Sequence, residues 1–265
     1  MFISINRMKS HKTSKRMLTI VEHIRHHGTA SVAALAGSLN VSEETIRRDA
    51  KILELKGQVL KLHGALALPH LAGEAPFERR LRENFEAKQA IGKRAVQFVE
   101  DGDTIMIDTG TTTSIFAQEL RAKRNLTIVT NSSDIARTLA TVNGNSVYMA
   151  GGALKGDNGA SFGPTAMEFF AKFRVKHAFI SIGALHAVHG AMDAELAEAK
   201  LAYMALSRAD HRVILSDSSK FGKTAFVKMC EFSEINRIIT EAAPDTALSD
   251  ALVLAGVTIN IVNTS

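Results

Sequence analysis

The stretch VSEETIRRDAKILELKGQVLKLHGA, Val41–Ala65, decides how the N-terminal quarter of the chain folds. Ser42 is a helix-capping residue type, and the residues after it place Ile46, Ala50 and Leu53 on one helical face. That face is apolar. Thr45, Arg47, Arg48 and Lys51 are left for the outer face. Gly57 supplies a helix stop. Beyond it Val59, Leu60 and Leu62 have β tendency and Gly64 offers a turn, as a small hairpin requires.

Upstream, Met17, Ile20, Val21 and Ile24 recur at helical spacing within Arg16 to His27, and Gly28 ends that segment. Ser31 caps a second helix carrying Val32, Leu35, Ala36 and Leu39 at i, i+3, i+4 and i+7. Asn40 and Val41 make a tight break before Ser42. Three short helices followed by a hairpin describe a winged helix-turn-helix whose third helix is the reader. Its arginines lie in the first two turns, where a planar guanidinium can pair with a guanine edge or clamp a phosphate. The competing reading makes Arg47 and Arg48 surface charges matched by Glu43, Glu44 and Asp49. Charge distribution favours the reader: residues 1–68 hold 11 Lys and Arg against 5 Asp and Glu, and the rest 21 against 22. The basic excess belongs to the N-terminal part and points to a polyanion partner.

Composition sets outer bounds. The 265 residues suffice for a large and a small domain, and 46 % hydrophobic content supplies a core for each. Cys230 is the single cysteine, so there is no intramolecular disulfide or cysteine-based metal cluster, and a reducing cytoplasm is the expected setting. The start MFISINRMKSHKTSKR lacks the apolar core of a signal peptide. No run approaches the roughly 20 apolar residues of a membrane span, so no membrane partner is expected.

Pro69 to Pro76, PHLAGEAP, reads as a linker. The expected division is a DNA-binding domain over 12–68, a linker over 69–76 and a second, larger domain over 77–265. Phe77 to Glu100 is predicted helical, with Ile91, Ala95, Phe98 and Val99 as its stripe. Strands are predicted at Thr104 to Ile107, Leu126 to Val129, Ser146 to Met149, His177 to Ser181, Arg212 to Leu215, Ile235 to Ile239 and Thr258 to Val262. Alternation with helical segments argues for a mostly parallel sheet covered on both faces. Ligands of such sheets bind beyond the carboxyl ends of the strands. The first five strands run into DTGTTTS, TNSS, AGG, GA after Ile182, and SDSSK, all small, hydroxylated or glycine apart from two acidic residues, an asparagine and one lysine. In Asp108 to Ser114, Gly110 permits close backbone approach, and the free amides of a helix start favour an anion. Neither nucleotide-binding glycine fingerprint is present.

These motifs resemble the DeoR family of bacterial transcription regulators. The family pattern V-S-x-x-T-I-R-R-D-L, a glycine and an R-x-H-G-G-A wing is matched at Val41, Ser42, Thr45, Ile46, Arg47, Arg48, Asp49, Gly57, His63 and Gly64. Ala50 replaces leucine, Lys61 the wing arginine and Ala65 the second wing glycine. The likeness continues through Lys88, Ile91 and Ala95, Asp101 to Thr104, Asp108 to Thr113, Thr130 to Ser132, Gly151 and Gly152, and Asp217 to Gly222, covering residues 12–262. Glu241 stands where the family has aspartate. The resemblance implies a winged helix-turn-helix followed by an α/β domain like the ribose-5-phosphate isomerase fold. It further implies double-stranded operator DNA, a phosphorylated sugar or polyol effector, a homo-oligomer, and no cofactor. DNA contact is then expected from Ser42, Thr45, Arg47, Arg48, Lys51, Lys61 and His63. Gly110, Thr111, Thr112 and Thr113 would hold the phosphate, Lys88 and Lys220 would flank it, and Asp108 and Asn131 would face the sugar hydroxyls beside Ser132, Gly151 and Gly152.

Two other classes compete. A sugar-phosphate isomerase or deaminase carrying a DNA-binding module would need a carboxylate base, for which Asp108, Asp193 and Glu195 are candidates. An assembly protein without DNA affinity would leave the arginine helix unexplained. His23 with His27, and His186 with His189, have helical or turn spacing but no third ligand, so no metal site is expected. Met167, Phe169, Phe170 and Phe173 read as packing.

Overall fold

The structure is a computed structural model that describes residues 15–24, 27, 29–55, 58–62, 64–67 and 75–263. Gly28, Gly57, His63 and linker residues 69–74 lie outside the described residues. The chain divides into two compact units, Met1–Glu74 and Ala75–Ser265.

In the first unit, residues 15–24 form α1, followed by β1 Thr29–Ser31, α2 Val32–Ser38, α3 Glu43–Leu55, β2 Leu60–Leu62 and β3 Ala65–Ala67. Ser31 Oγ accepts the Ala34 amide at 3.0 Å and Ser42 Oγ the Thr45 amide at 3.3 Å, so both expected caps start their helices. Met17, Ile20, Val21, Ile24, Leu35, Ile46 and Leu53 meet in one core, with Ala50 fully buried among them. The β2–β3 hairpin gains a third strand, because β1 pairs antiparallel with β3. Three residues, TAS, are too few to show strand periodicity in the sequence. Asp49 departs from the surface-charge reading. It is buried, and Arg16 forks onto it with Nε 2.5 Å from Oδ2 and Nη2 3.1 Å from Oδ1, tying α3 to α1. The Asp49 hydrogen bond raises the Arg16 pKa against the opposing effect of burial.

The second unit's strands are β4 Thr104–Ile107, β5 Thr127–Thr130, β6 Ser146–Met149, β7 Val175–Ser181, β8 Ala184–His186, β9 Gly190–Asp193, β10 Ala209–Leu215, β11 Val227–Cys230, β12 Arg237–Thr240 and β13 Thr258–Ile261. Its helices are α4 Phe77–Arg82, α5 Phe85–Val96, α6 Thr111–Glu119, α7 Ser133–Leu139, α8 Pro164–Ala171, α9 Leu196–Ser207 and α10 Thr246–Leu254. Seven strands make one sheet in the order β13-β12-β10-β7-β4-β5-β6, every neighbouring pair parallel. Side-chain alternation splits its core. Ile105, Ile107, Phe179, Val213 and Leu215 pack with α5, α6 and α7; Met106, Ala178, Ile180, Ile214 and Ile238 pack with α8, α9 and α10. This is the expected three-layer arrangement, and its chain order reverses between β4 and β7, where such sheets open a ligand crevice.

Two features differ from the expected pattern. The helix predicted over Phe77 to Glu100 is broken at Asn84, whose φ of 53° is left-handed and whose Nδ2 donates to Asp217 Oδ1 at 2.9 Å. A long-range hydrogen bond thus overrides local helix propensity. Strands β8, β9 and β11 form a separate antiparallel sheet.

Near the amino ends of the strands, His177 is 5 % exposed, stacks on His211 at 5.0 Å between centroids, and has Nε2 3.3 Å from Asp103 Oδ2. Burial lowers its pKa; Asp103, itself bound by Lys176 at 2.9 Å, opposes that. The folded chain therefore takes up this proton only below the ordinary value of about 6.5, while the unfolded chain takes it up at that value. Stability is constant above about pH 6.5 and falls as pH drops from there toward the folded value, by up to about 1.4 kcal/mol per pH unit. Thermal unfolding between pH 7 and 5 is expected to show a steeper decline for the native chain than for His177→Leu. Equal slopes would contradict it.

Candidate functional site

On α3, Arg47 and Arg48 are exposed and Lys51 with them, as a reader requires. Arg47 Nη2 sits 2.6 Å from Glu43 Oε2 and its Nη1 3.9 Å from Glu44 Oε2. Such same-helix pairs are worth about 0.5 kcal/mol, so a DNA phosphate can displace them at little cost. Thr45 Oγ1 lies 2.9 Å from Ser42 Oγ, so this pair shapes the first turn. On the wing strand β2, Lys61 Nζ is 3.6 Å from Glu54 of α3, a contact that braces hairpin against helix.

In the second unit the chain leaves β4 through Asp108, Thr109 and Gly110 and enters α6 at Thr111. A Cβ at Gly110 would lie 1.9 Å from Ser181 Oγ and 2.7 Å from Ser181 Cβ, so glycine is required there by the approach of the β7 end. The Asp108 carboxylate accepts the Ser181 amide at 3.1 and 3.2 Å, locking the two strand ends together. Thr111, Thr112 and Thr113 are buried in the first turn of α6, where backbone amides lack helical acceptors. Thr113 Oγ1 donates within 3.1 Å to the carbonyls of Asp108 and Gly110, so its hydroxyl shapes the turn. At the end of β5, Asn131 is fully buried with Nδ2 donating to the Ser161 carbonyl at 3.1 Å. Ser132 Oγ caps α7 through the Ile135 amide at 3.3 Å. Thr109 Oγ1, Ser114 Oγ and Asn131 Oδ1 are buried with no hydrogen-bond partner among the described residues.

Lys88 of α5 is 3 % exposed and donates to the Arg80 carbonyl at the end of α4. Burial lowers its pKa, and Asp217 partly opposes this while Lys220 reinforces it, which places the lysine beside the turn that follows β10. That turn is anchored by Glu241, which accepts the Ser218 amide at 3.0 Å through both oxygens and the Ser218 hydroxyl at 2.5 Å. The longer carboxylate in the family's aspartate position thus still reaches its turn. Gly151 and Gly152 are exposed at the start of the loop after β6, and the Gly152 Cβ direction comes within 3.9 Å of Ser161. Ser181 and the loop's Ser161 are site neighbours that the sequence reading did not single out, and Thr109 and Ser114 lie within its DTGTTTS stretch without having been given a role. A groove of about 740 Å³ runs between α5 and the end of edge strand β13, lined by Lys93, Arg94 and Asn260, at the margin of the sheet and not at the ends of β4 and β5.

Burial raises the Asp108 pKa well above the ordinary value; the Ser181 amide opposes this, and Asp193 adds repulsion. A carboxyl group so raised contributes stability below about pH 3.8, which is lost as pH rises through the folded value. Asp108→Asn keeps an acceptor for the Ser181 amide and removes the buried charge. At pH 7 it is expected to stabilise the fold in chemical denaturation, because the penalty of the buried ionisable group is gone. A destabilised variant would contradict that. Of the other candidate bases, Glu195 is paired with Lys155 at 2.6 Å.

The family comparisons agree with this layout. The family model for a DeoR-like helix-turn-helix domain matches residues 16–71, and that for the DeoR C terminal sensor domain matches residues 83–242. The glycerol-3-phosphate regulon repressor of Escherichia coli is 29 % identical over 91 % of this chain and 96 % of its own length. The HTH-type transcriptional regulator IolR of Bacillus subtilis is 30 % identical over 87 % of this chain and 92 % of its own. A ribose 5-phosphate isomerase A from Methanocaldococcus jannaschii aligns over 52 % of this chain and 55 % of its own, with a TM-score of 0.39 and 17 % identity. No helix among the described residues is long and apolar enough to cross a membrane. With both family models matched in order and relatives aligned over nearly their whole length, the chain belongs to the DeoR family of DNA-binding transcriptional regulators and is not an enzyme.

Proposed function

We propose that this regulator is a cytoplasmic repressor of a sugar or polyol catabolic operon, bound to double-stranded operator DNA and released by a phosphorylated sugar or polyol. Residues 12–68 read the DNA, 69–76 connect, and 77–265 sense the effector. Arg47, Arg48 and Lys51 contact base edges and phosphates, supported by Ser42, Thr45 and the wing's Lys61 and His63. One winged helix covers a short site, so homo-oligomers reading repeated half-sites are part of this reading.

The observation that carries the sensing role is the set of buried, unpartnered atoms Thr109 Oγ1 and Asn131 Oδ1, just past the carboxyl ends of β4 and β5, and Ser114 Oγ, near the start of α6. Each such group costs about 1–3 kcal/mol unless something satisfies it, and ligand hydroxyls are suited to that. Beside them the free amides of Gly110 to Thr113 favour an anion, with Lys88 and Lys220 as flanking cations. Asp108 and Asn131 then face sugar hydroxyls, while Ser132, Gly151 and Gly152 form the rim. Names of relatives agree in kind: one is a glycerol-3-phosphate regulon repressor.

The test is thermal unfolding with a panel of sugar and polyol phosphates, glycerol 3-phosphate included, each paired with its unphosphorylated parent. An ester at about one hundred times its Kd should stabilise the fold by roughly 2.7 kcal/mol, and its parent should not. Equal effects of ester and parent, or none across the panel, would remove the phosphate from the reading.

A further inference from the structure

The covalent route from the DNA-binding unit into the sensor passes through Ala75, Pro76 and α4. Helix α4 has six residues, and its N-cap, Pro76, makes no side-chain cap. The missing cap comes from 80 residues further on: the Asp157 carboxylate accepts the Phe77 amide at 3.1 and 3.3 Å. Arg80 completes the clamp. Its Nε donates to the Ala75 carbonyl at 2.8 Å, its Nη2 is 4.0 Å from Asp157 Oδ2, and its guanidinium lies 5.7 Å from the buried Phe77 ring. At the other end, the Arg80 carbonyl accepts from Lys88. A helix of six residues is marginal by itself, so these attachments, together with the burial of Phe77, hold α4 in place.

Both attachments lead to the effector site. Asp157 sits on the loop 151–163, which is held to the site through Ser161: its carbonyl accepts from Asn131 Nδ2, its amide donates to the Asn131 carbonyl at 2.9 Å, and its Oγ donates to the Ala150 carbonyl at 2.6 Å. The same loop reaches α9 through Lys155, 2.6 Å from Glu195 and 3.1 Å from Glu198. Lys88 is itself a proposed phosphate partner, and a phosphate drawing the ammonium toward itself competes for the geometry of its bond to the Arg80 carbonyl.

We infer that the Asp157 carboxylate is the positioning residue through which site occupancy reaches the DNA-binding unit: it caps α4 from a loop held to Asn131 of the site, and α4 loosens when an anion binds. This rests on the phosphate reading of the site. The probe is inorganic phosphate, compared with chloride at equal ionic strength, and the readout is backbone hydrogen exchange of the full chain. In the native sequence, phosphate slows exchange around Gly110 to Ser114 and speeds exchange of Phe77 to Arg82 about threefold or more. In Asp157→Ala, exchange of that helix is already fast and no longer responds to phosphate, while Gly110 to Ser114 still does. Asp157→Asn, which keeps one acceptor oxygen, falls between them. If phosphate protects Gly110 to Ser114 and leaves α4 unchanged or slower, the relay is wrong and the phosphate site stands. If α4 responds equally in Asp157→Ala, Asp157 has no such role. If phosphate changes exchange nowhere, the site reading fails and the relay with it.

Discussion

Replacing Arg47 and Arg48 together by alanine is expected to weaken DNA binding by about 2–6 kcal/mol, since each bidentate base contact carries roughly 1–3 kcal/mol of discrimination. Any share of the contact made to phosphates appears instead as a shallower salt dependence, by roughly one unit of slope for each phosphate lost. The fold should hardly notice. Both side chains are exposed, and Arg47 gives up only ion pairs with Glu43 and Glu44 on its own helix. Thermal unfolding should stay within about 0.5 kcal/mol of the native chain. Fluorescence anisotropy with duplex DNA at two salt concentrations reads both effects, and unchanged affinity would take α3 out of its role.

Gly110→Ala is expected to damage the sensor unit in a different way. The new methyl would sit 1.9 Å from Ser181 Oγ, so either β7 or the first turn of α6 must move. Overpacking of this kind costs about 1–3 kcal/mol, and the displaced amides should no longer hold a phosphate. Backbone φ at Gly110 is 177°, an extended value open to any residue, so the whole penalty is the collision. Ser181→Gly in the same chain removes the collision and should restore most of the lost stability. Calorimetry of the single and double variants measures this; equal stability of Gly110→Ala and the native chain would show that the strand ends are looser than these distances imply.

How much of the fold and site is legible in the sequence depends on the range of the interaction. Caps at Ser31 and Ser42, the apolar stripe Ile46, Ala50 and Leu53, and seven parallel strands are local patterns, and each lies where periodicity puts it. DTGTTTS is readable as strand, turn and helix start for the same reason. The features that escape are set by contacts distant in sequence. Asn84 breaks a helix because Asp217 holds its amide, and Asp49 is buried because Arg16 reaches it. Ser181 dictates glycine at position 110 from 71 residues away. β1 and the small sheet of β8, β9 and β11 are likewise fixed by partners distant in sequence, β1 by β3 and β9 by β11. Among the residues expected at the site, Thr113 and Ser132 spend their hydroxyls on backbone groups, a role that residue type alone cannot separate from ligand contact.

On the proposed function, occupancy of the sensor changes DNA binding. The most direct measurement is the affinity of the full-length chain for its operator with and without the phosphate ester that stabilises it. A ligand can shift the equilibrium only by its differential affinity for the two arrangements, and typical couplings of 1–3 kcal/mol correspond to about 5- to 150-fold. The expected result is a fall in operator affinity within that range, absent with the unphosphorylated parent and absent in Gly110→Ala. An ester that binds and stabilises the protein yet leaves operator affinity unchanged would contradict it.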